Sequence, residues 1–126
     1  MRQEVLILKN LMYNEEYTRK VLPYLKSEYF IDYSEKFIFT KINDYVDKYN
    51  NLPGMEALSV IINESDIAET TLDGINTTIN EFDNVVDSDL DWLFDTTEQF
   101  CQDKAIYNTI MESVEILEGK HETYTR

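Results

Sequence analysis

The chain has 126 residues, of which 43% are hydrophobic, and it carries nine tyrosines, six phenylalanines and one tryptophan. This length suits one globular domain that buries about two thirds of its unfolded surface, and the apolar content excludes a disordered tail. With 25 acidic and 11 basic residues the formal net charge is -14. The mean field therefore repels DNA phosphates, and direct DNA binding is not expected.

The N-terminal residues and the cysteine content indicate the cellular compartment of the protein. The apolar run Val5-Leu6-Ile7-Leu8 is interrupted at Lys9, which makes it too short for a signal peptide or a membrane span. Cys101 is the single cysteine and cannot form an internal disulfide, in agreement with a reducing compartment. We therefore expect a cytoplasmic protein without membrane contact.

Apolar residues recur at helical spacing almost everywhere, and no run alternates with period two over the length of a strand. The apolar face of a first short helix, ending near Tyr13, consists of Val5, Leu8, Leu11 and Met12. Asn14 is the predicted N-cap of a second helix, with Glu15 and Glu16 in its first turn. Pro23 should bend or break that helix, and a turn follows near residues 26–28.

The hydrophobic spacing in the middle of the chain predicts three further amphipathic helices. From Ser34, one apolar face comprises Ile38, Ile42, Tyr45 and Tyr49. The Asn50-Asn51-Leu52-Pro53-Gly54 break starts a short helix whose face is Leu58, Ile61 and Ile62. Thr71 is the predicted cap of the next helix, whose stripe is Leu72, Ile75, Ile79 and Phe82.

The last element is the longest. Ser88 is predicted to open it, with Asp91 three residues later in a weak capping box, and Gly119 to end it. Roughly 30 residues give about 45 Å of helix at 1.5 Å per residue, whereas a domain of this size has a radius of gyration of about 14 Å. The far end should therefore project beyond the globule.

These elements predict an all-α fold, a compact bundle of about six helices with a long C-terminal helix. The predicted organisation is a globular part over residues 1–87, the long helix over 88–119 and a tail over 120–126. A projecting apolar stripe needs a partner, because large exposed apolar patches mark interfaces. The predicted oligomer interface is Ile106, Ile110, Met111, Val114 and Leu117. The alternative is that this helix folds back and buries the same residues in its own domain.

Aromatic residues cluster around the turn near residue 27, at Tyr24, Tyr29, Phe30 and Tyr33. Core packing is the ordinary role of such residues, and a partner surface at Tyr24, Tyr29 and Tyr33 is the functional alternative. Base stacking is a third use, but stacking sites usually lie beside a positive groove, and few cations are near.

Neither catalysis nor metal binding is predicted. Asp87, Asp89, Asp91 and Glu98 match acidic positions of a calcium loop, but Trp92 stands where that loop requires glycine, so an acidic helix start explains them better. The other ligand pattern is a single Glu-x-x-His, at Glu118 and His121, and the chain has one histidine. Cys101 is expected to be a small core residue, since acidic neighbours disfavour a thiolate.

Several short motifs follow one another in a fixed order through nearly the whole chain. They are Val21-Leu22-Pro23-Tyr24-Leu25-Lys26-Ser27-Glu28-Tyr29-Phe30, Asn50-Asn51-Leu52-Pro53, Ala57-Leu58-Ser59-Val60, Glu69-Thr70, Gly74, Trp92-Leu93, Thr97-Glu98 and Ala105-Ile106-Tyr107-Asn108. In this order and spacing the chain resembles the N-terminal domain of the DnaB-like replicative helicases, most closely the version carried by T-even-type phages.

The resemblance implies a collar domain of a hexameric, nucleotide-driven DNA helicase, which supports subunit assembly and docks primase, in an infected bacterial cell. The long helix would be the first arm of a helical hairpin that joins neighbouring subunits. A helicase loader is a further partner to consider, and ATP or another nucleotide with magnesium would bind the full-length protein. This domain would bind no cofactor and would not itself be an enzyme.

A helicase motor needs a G-x-x-x-x-G-K-[ST] loop to hold nucleotide phosphates, and Gly54, Gly74 and Gly119 all lack that surrounding. We therefore expect the chain to be the front end of a longer helicase, ending before the ATPase domain. The alternative from another class is a stand-alone acidic phage protein that binds a basic or DNA-binding partner.

Overall fold

The computed structural model describes residues 2–124, with side chains to Glu118, and these residues form six α-helices and no strand. The helices are α1 Gln3–Tyr13, α2 Glu15–Val21, α3 Tyr33–Tyr49, α4 Met55–Glu64, α5 Glu69–Glu81 and α6 Leu90–Tyr124. Short 3₁₀ turns lie at Leu22–Tyr24, Ser27–Tyr29 and Phe82–Asn84. The predicted all-α bundle with a long last helix is confirmed.

The break between α1 and α2 follows from local hydrogen bonding, as predicted. Asn14 is extended, and its side chain accepts a hydrogen bond from the Tyr17 amide at 3.1 Å. Helix α2 then ends at Val21, and Pro23 lies in the 3₁₀ turn that follows. Proline has no amide hydrogen and crowds the preceding turn, so it cannot continue the helix.

Helix α3 lies in the middle of the bundle, packed against α1, α4 and α5. Ile38, Phe39 and Ile42 are fully buried. The predicted face was wrong at its end, because Val46 packs against the core in the last turn while Tyr49 is exposed. The Tyr49 ring lies against that of Tyr45 at a tilted angle, with ring centroids 4.7 Å apart.

Two predicted caps were also wrong. Helix α5 begins at Glu69 after Ala68, so Thr71 lies inside its first turn. Helix α6 begins at Leu90, where Asp89 Oδ2 accepts a hydrogen bond from the Trp92 amide at 3.3 Å. The Ser88 hydroxyl instead donates back to the carbonyl oxygen of Val86. Aspartate caps as well as serine does, and here it is the residue next to the helix.

The core joins the N-terminal helices to the first half of α6. The Phe30 ring lies 5.0 Å from that of Phe39 and 5.7 Å from that of Phe100, measured between centroids. Helix α6 continues past Gly119 to Tyr124, so the predicted stop and the start of the predicted tail were wrong. An interior glycine weakens a helix by only about 1 kcal/mol relative to alanine, which does not force an end.

Candidate interaction surfaces

Helix α6 is anchored by its first half and exposed in its second. Leu93 and Phe100 are buried, and Thr97 shares a hydrogen bond with the Tyr17 hydroxyl. Farther along, the Asn108 side-chain amide donates to the Glu28 carbonyl oxygen at 3.3 Å. From Thr109 to Glu118 every side chain is exposed. We call residues 109–124 the arm, and at 1.5 Å per residue it extends about 24 Å beyond Asn108.

The predicted oligomer interface lies along this part of α6. All five residues are exposed, and we call them the arm stripe: Ile106, Ile110, Met111, Val114 and Leu117. The alternative, that the helix folds back and buries them in its own domain, is not what the structure shows. The role of the arm stripe in oligomerisation stays a prediction.

The arm stripe continues the face that α6 turns toward the core only in part. At about 100° per residue, Ile110 is displaced by roughly 100° from Leu93 and by roughly 80° from Phe100. Val114 is displaced from Phe100 by only roughly 40° in the same sense, and Met111 by only roughly 20° in the other. The arm stripe therefore begins on the core-facing side of α6 and spreads to one flank of the helix, so a partner of the arm approaches from that side and flank.

The tyrosines near the second 3₁₀ turn have different surroundings. Tyr29 is 7% exposed and Phe30 is buried, so core packing applies to them and Tyr29 contributes little to a partner surface. Tyr24 and Tyr33 are 72% and 60% exposed, so core packing is wrong for this pair. The sequence could not separate them, because the packing of the turn against α3 and α6 determines which side chain is covered.

Tyr24 borders an open groove between α2 and α6. The groove encloses about 610 Å³, and its apolar lining includes Val21, Phe94 and Ala105. The Lys20 ammonium lies 4.1 Å from the centroid of the Phe94 ring, and Glu98 also lines the groove. This mixed polar rim over an apolar floor is typical of surfaces that contact proteins.

Cys101 is half-buried in the same groove. Burial, and then the neighbouring Glu98 carboxylate, raise the pKa of its thiol, which keeps the thiol protonated. This agrees with the predicted packing role. Among residues 2–118 there is no cluster of three or more side chains able to hold a metal ion. The Glu118–His121 pair, for which the sequence predicted no metal, falls partly outside the described side chains.

The charge is distributed very unevenly. Residues 49–103, which we call the acidic segment, contain 13 acidic residues and no lysine, arginine or histidine, so they hold nearly all of the net charge of -14. All 13 carboxylates are exposed. Counting charge along the sequence would have found this segment.

Of the exposed large apolar residues in the acidic segment, Val86 and Trp92 line one shallow groove. The groove encloses about 270 Å³, and it is also lined by Arg2, Gln3, Leu6, Ser88 and Thr96. We call Leu6, Val86, Trp92 and Thr96 the Trp92 patch. The hydrophobic periodicity gave no sign of it, because Val86 lies in a loop and Trp92 off the buried face of α6.

Comparison with known proteins bears on the resemblance drawn from the motifs. The chain is 33% identical over 111 residues, 88% of its length, to a DnaB-like replicative helicase of Enterobacteria phage T4. The resemblance to the DnaB-like replicative helicases is confirmed. The chain spans only 23% of the length of that helicase, and no protein-family model matches it.

None of the helices described over residues 2–124 is long and apolar enough to cross a membrane.

Because the chain spans only 23% of the length of the T4 helicase, the activity, substrate and partners of a whole helicase are proposals for this chain.

Proposed function

We propose that this chain is the N-terminal collar domain of a phage replicative DNA helicase, and that it serves subunit assembly and primase docking. The observation that carries the proposal is the exposed arm stripe on a helix-rich domain that is 33% identical to part of a DnaB-like helicase. The motor, with ATP or another nucleotide and magnesium, would lie elsewhere in the full-length protein.

The energetics of the arm stripe support weak association of the isolated domain. Burying one large aliphatic side chain contributes about 1.5–3 kcal/mol, so five half-exposed residues supply on the order of 5–10 kcal/mol. Association costs about 4–15 kcal/mol in lost translational and rotational freedom. The two ranges overlap, so stable assembly needs more contacts, such as a second hairpin arm following this chain and the remainder of a hexamer.

Charge supports a role in protein contacts instead of direct DNA contacts. A domain with net charge -14 repels phosphates, and the acidic segment carries no basic residue to offset this repulsion. For primase docking, the exposed side chains of Tyr24 and Tyr33 and the groove beside Tyr24 offer amphipathic anchors. A helicase loader could use the same kind of surface.

The proposal is tested by the size and composition of the native protein. An antibody raised against this domain should detect, in infected cells, a product several times heavier than 14.9 kDa. The same product should contain a phosphate-binding G-x-x-x-x-G-K-[ST] loop after this domain. A native product that ends near Arg126 would contradict the helicase proposal.

The acidic segment favours a second candidate, a stand-alone acidic phage protein that occupies a basic or DNA-binding partner. A continuous run of 55 residues without a cation, from Tyr49 to Asp103, presents carboxylates without the interspersed bases expected of an ordinary surface. Competition with DNA for a basic host protein, by a native product of 14.9 kDa, would support this candidate.

A further inference from the structure

The Trp92 patch combines exposure with rigidity. Val86 is 75% and Trp92 50% exposed. Single exposed apolar residues are ordinary, but two of them sharing one groove are less so, and tryptophan is among the residues most enriched at binding hot spots.

Hydrogen bonds on both sides hold this patch in place. Asp89 caps the first turn of α6 and accepts from the Trp92 amide, which fixes the backbone of Trp92. Next to Val86, the Val85 side chain is buried, and its carbonyl oxygen accepts from Lys9 Nζ at 2.9 Å. A surface that is already ordered loses less entropy when a partner binds.

Charge determines which partner fits. Asp87, Asp89 and Asp91 lie between Val86 and Trp92 in the sequence, and all three are exposed. Arg2 lines the groove, but its guanidinium is paired with Glu4 at 3.1 Å and with Glu35 at 2.8 Å. The Lys9 ammonium is likewise engaged, since it donates to the Val85 carbonyl oxygen. An acidic partner, a nucleic acid or a second copy of this chain would meet unbalanced like charge here.

We infer that Val86 and Trp92 anchor a lysine- or arginine-rich amphipathic segment of a partner protein, with its apolar face in the groove and its cations against the surrounding carboxylates. This surface lies within residues described in full and is separate from the arm stripe. It does not rest on the collar function proposed above.

The probe is a labelled peptide of about 18 residues, long enough for several helical turns, with leucines on one face and lysines on the other. Two matched peptides serve as controls. One has glutamate in place of every lysine, and the other has the composition of the probe with its order scrambled so that no face is apolar. Binding is followed by fluorescence anisotropy, and also by the emission of Trp92, the single tryptophan.

Only the amphipathic basic peptide should bind saturably, and it should shift Trp92 emission to shorter wavelength as the indole leaves water. Val86→Ser and Trp92→Ala should each weaken binding by at least about tenfold. Both residues are exposed, so unchanged far-ultraviolet circular dichroism and thermal midpoint will show that the fold is retained.

Two charge variants distinguish binding at the Trp92 patch from general electrostatic attraction to an acidic protein. Asp87→Lys with Asp91→Lys should weaken binding by more than about tenfold, whereas Glu56→Lys with Glu64→Lys on α4, an equal change in net charge, should weaken it by less than about threefold. Equal binding of either control peptide, unchanged affinity of Val86→Ser, or equal effects of the two charge variants would overturn the inference. Concentration-dependent self-association that Trp92→Ala abolishes would also overturn it.

Discussion

The hydroxyl oxygens of Tyr17 and Thr97 lie 2.5 Å apart in the core and join α2 to α6. Both side chains are almost completely buried, and neighbouring Phe94 stacks nearly parallel to the Tyr17 ring. Burial raises the pKa of Tyr17, so the phenol stays neutral and able to donate. This contact sets the position of α6 in the bundle, and with it the direction in which the arm leaves.

Removing both partners of this bond should cost less free energy of unfolding than the sum of the two single removals. We expect Tyr17→Phe or Thr97→Val alone to lower the free energy of unfolding by about 1–3 kcal/mol, because each leaves a buried hydroxyl without its partner. The double variant should lose less than the sum of the two single losses. Urea denaturation of all four proteins measures this coupling, and strict additivity would contradict the assigned contact.

The buried carboxyl group of Glu35 should make the free energy of unfolding depend on pH. Its side chain is 1% exposed, Oε1 accepts from Arg2 at 2.8 Å, and Oε2 has no partner among the described residues. Burial raises the pKa of Glu35 from 4.5 to about 7, an effect that Arg2 opposes and that Glu4 and Asp32 reinforce. Between these two pH values the folded protein binds more protons than the unfolded chain does.

The free energy of unfolding should therefore fall as pH rises from about 4.5 to about 7, by up to about 3 kcal/mol from this group. Glu35→Gln should remove that decline, so the variant is more stable than wild type above pH 7 and similar to it near pH 4.5. Urea denaturation across this range measures the difference. Glu16→Gln removes the same charge from an exposed position and is the matched control. A wild-type minus Glu35→Gln difference that does not change with pH would contradict the prediction.

Gly74 marks the close approach of α5 to α3. A Cβ atom at this position would lie 2.6 Å from Ser34 Oγ but 3.9 Å from Ser34 Cβ. In a Ser34→Ala background, Gly74→Ala should raise the free energy of unfolding by about 1 kcal/mol, the gain in helix propensity. In the wild-type background the gain should be smaller or negative, since the serine hydroxyl must move. Thermal denaturation of the four proteins tests this, and equal effects in both backgrounds would contradict it.

The sequence predicted the fold better than the surfaces. Asn14 was predictable as a cap because its bond to Tyr17 is local, whereas the start of α6 was not, since Asp87, Ser88 and Asp89 are all able to cap. The projection of the arm followed from helix length alone. Tyr24 and Tyr29 could not be told apart, because their exposure depends on how the 3₁₀ turns pack against α2 and α6. The acidic segment was visible in the sequence, but only as a count of charges over 55 residues.

The proposed assembly role depends on the arm stripe, and the direct measurement is sedimentation equilibrium of the domain over a wide concentration range. Wild type should associate weakly and reversibly, and Ile110→Asp with Val114→Asp should stay a monomer throughout, because both changes place charge in the apolar contact. Thr109→Asp with Ile116→Asp adds the same charge to a face turned by roughly 100° or more from Ile110 and should associate as wild type does. A wild-type domain that keeps the monomer mass at the highest concentration would contradict the account, and so would equal loss of association in the two double variants.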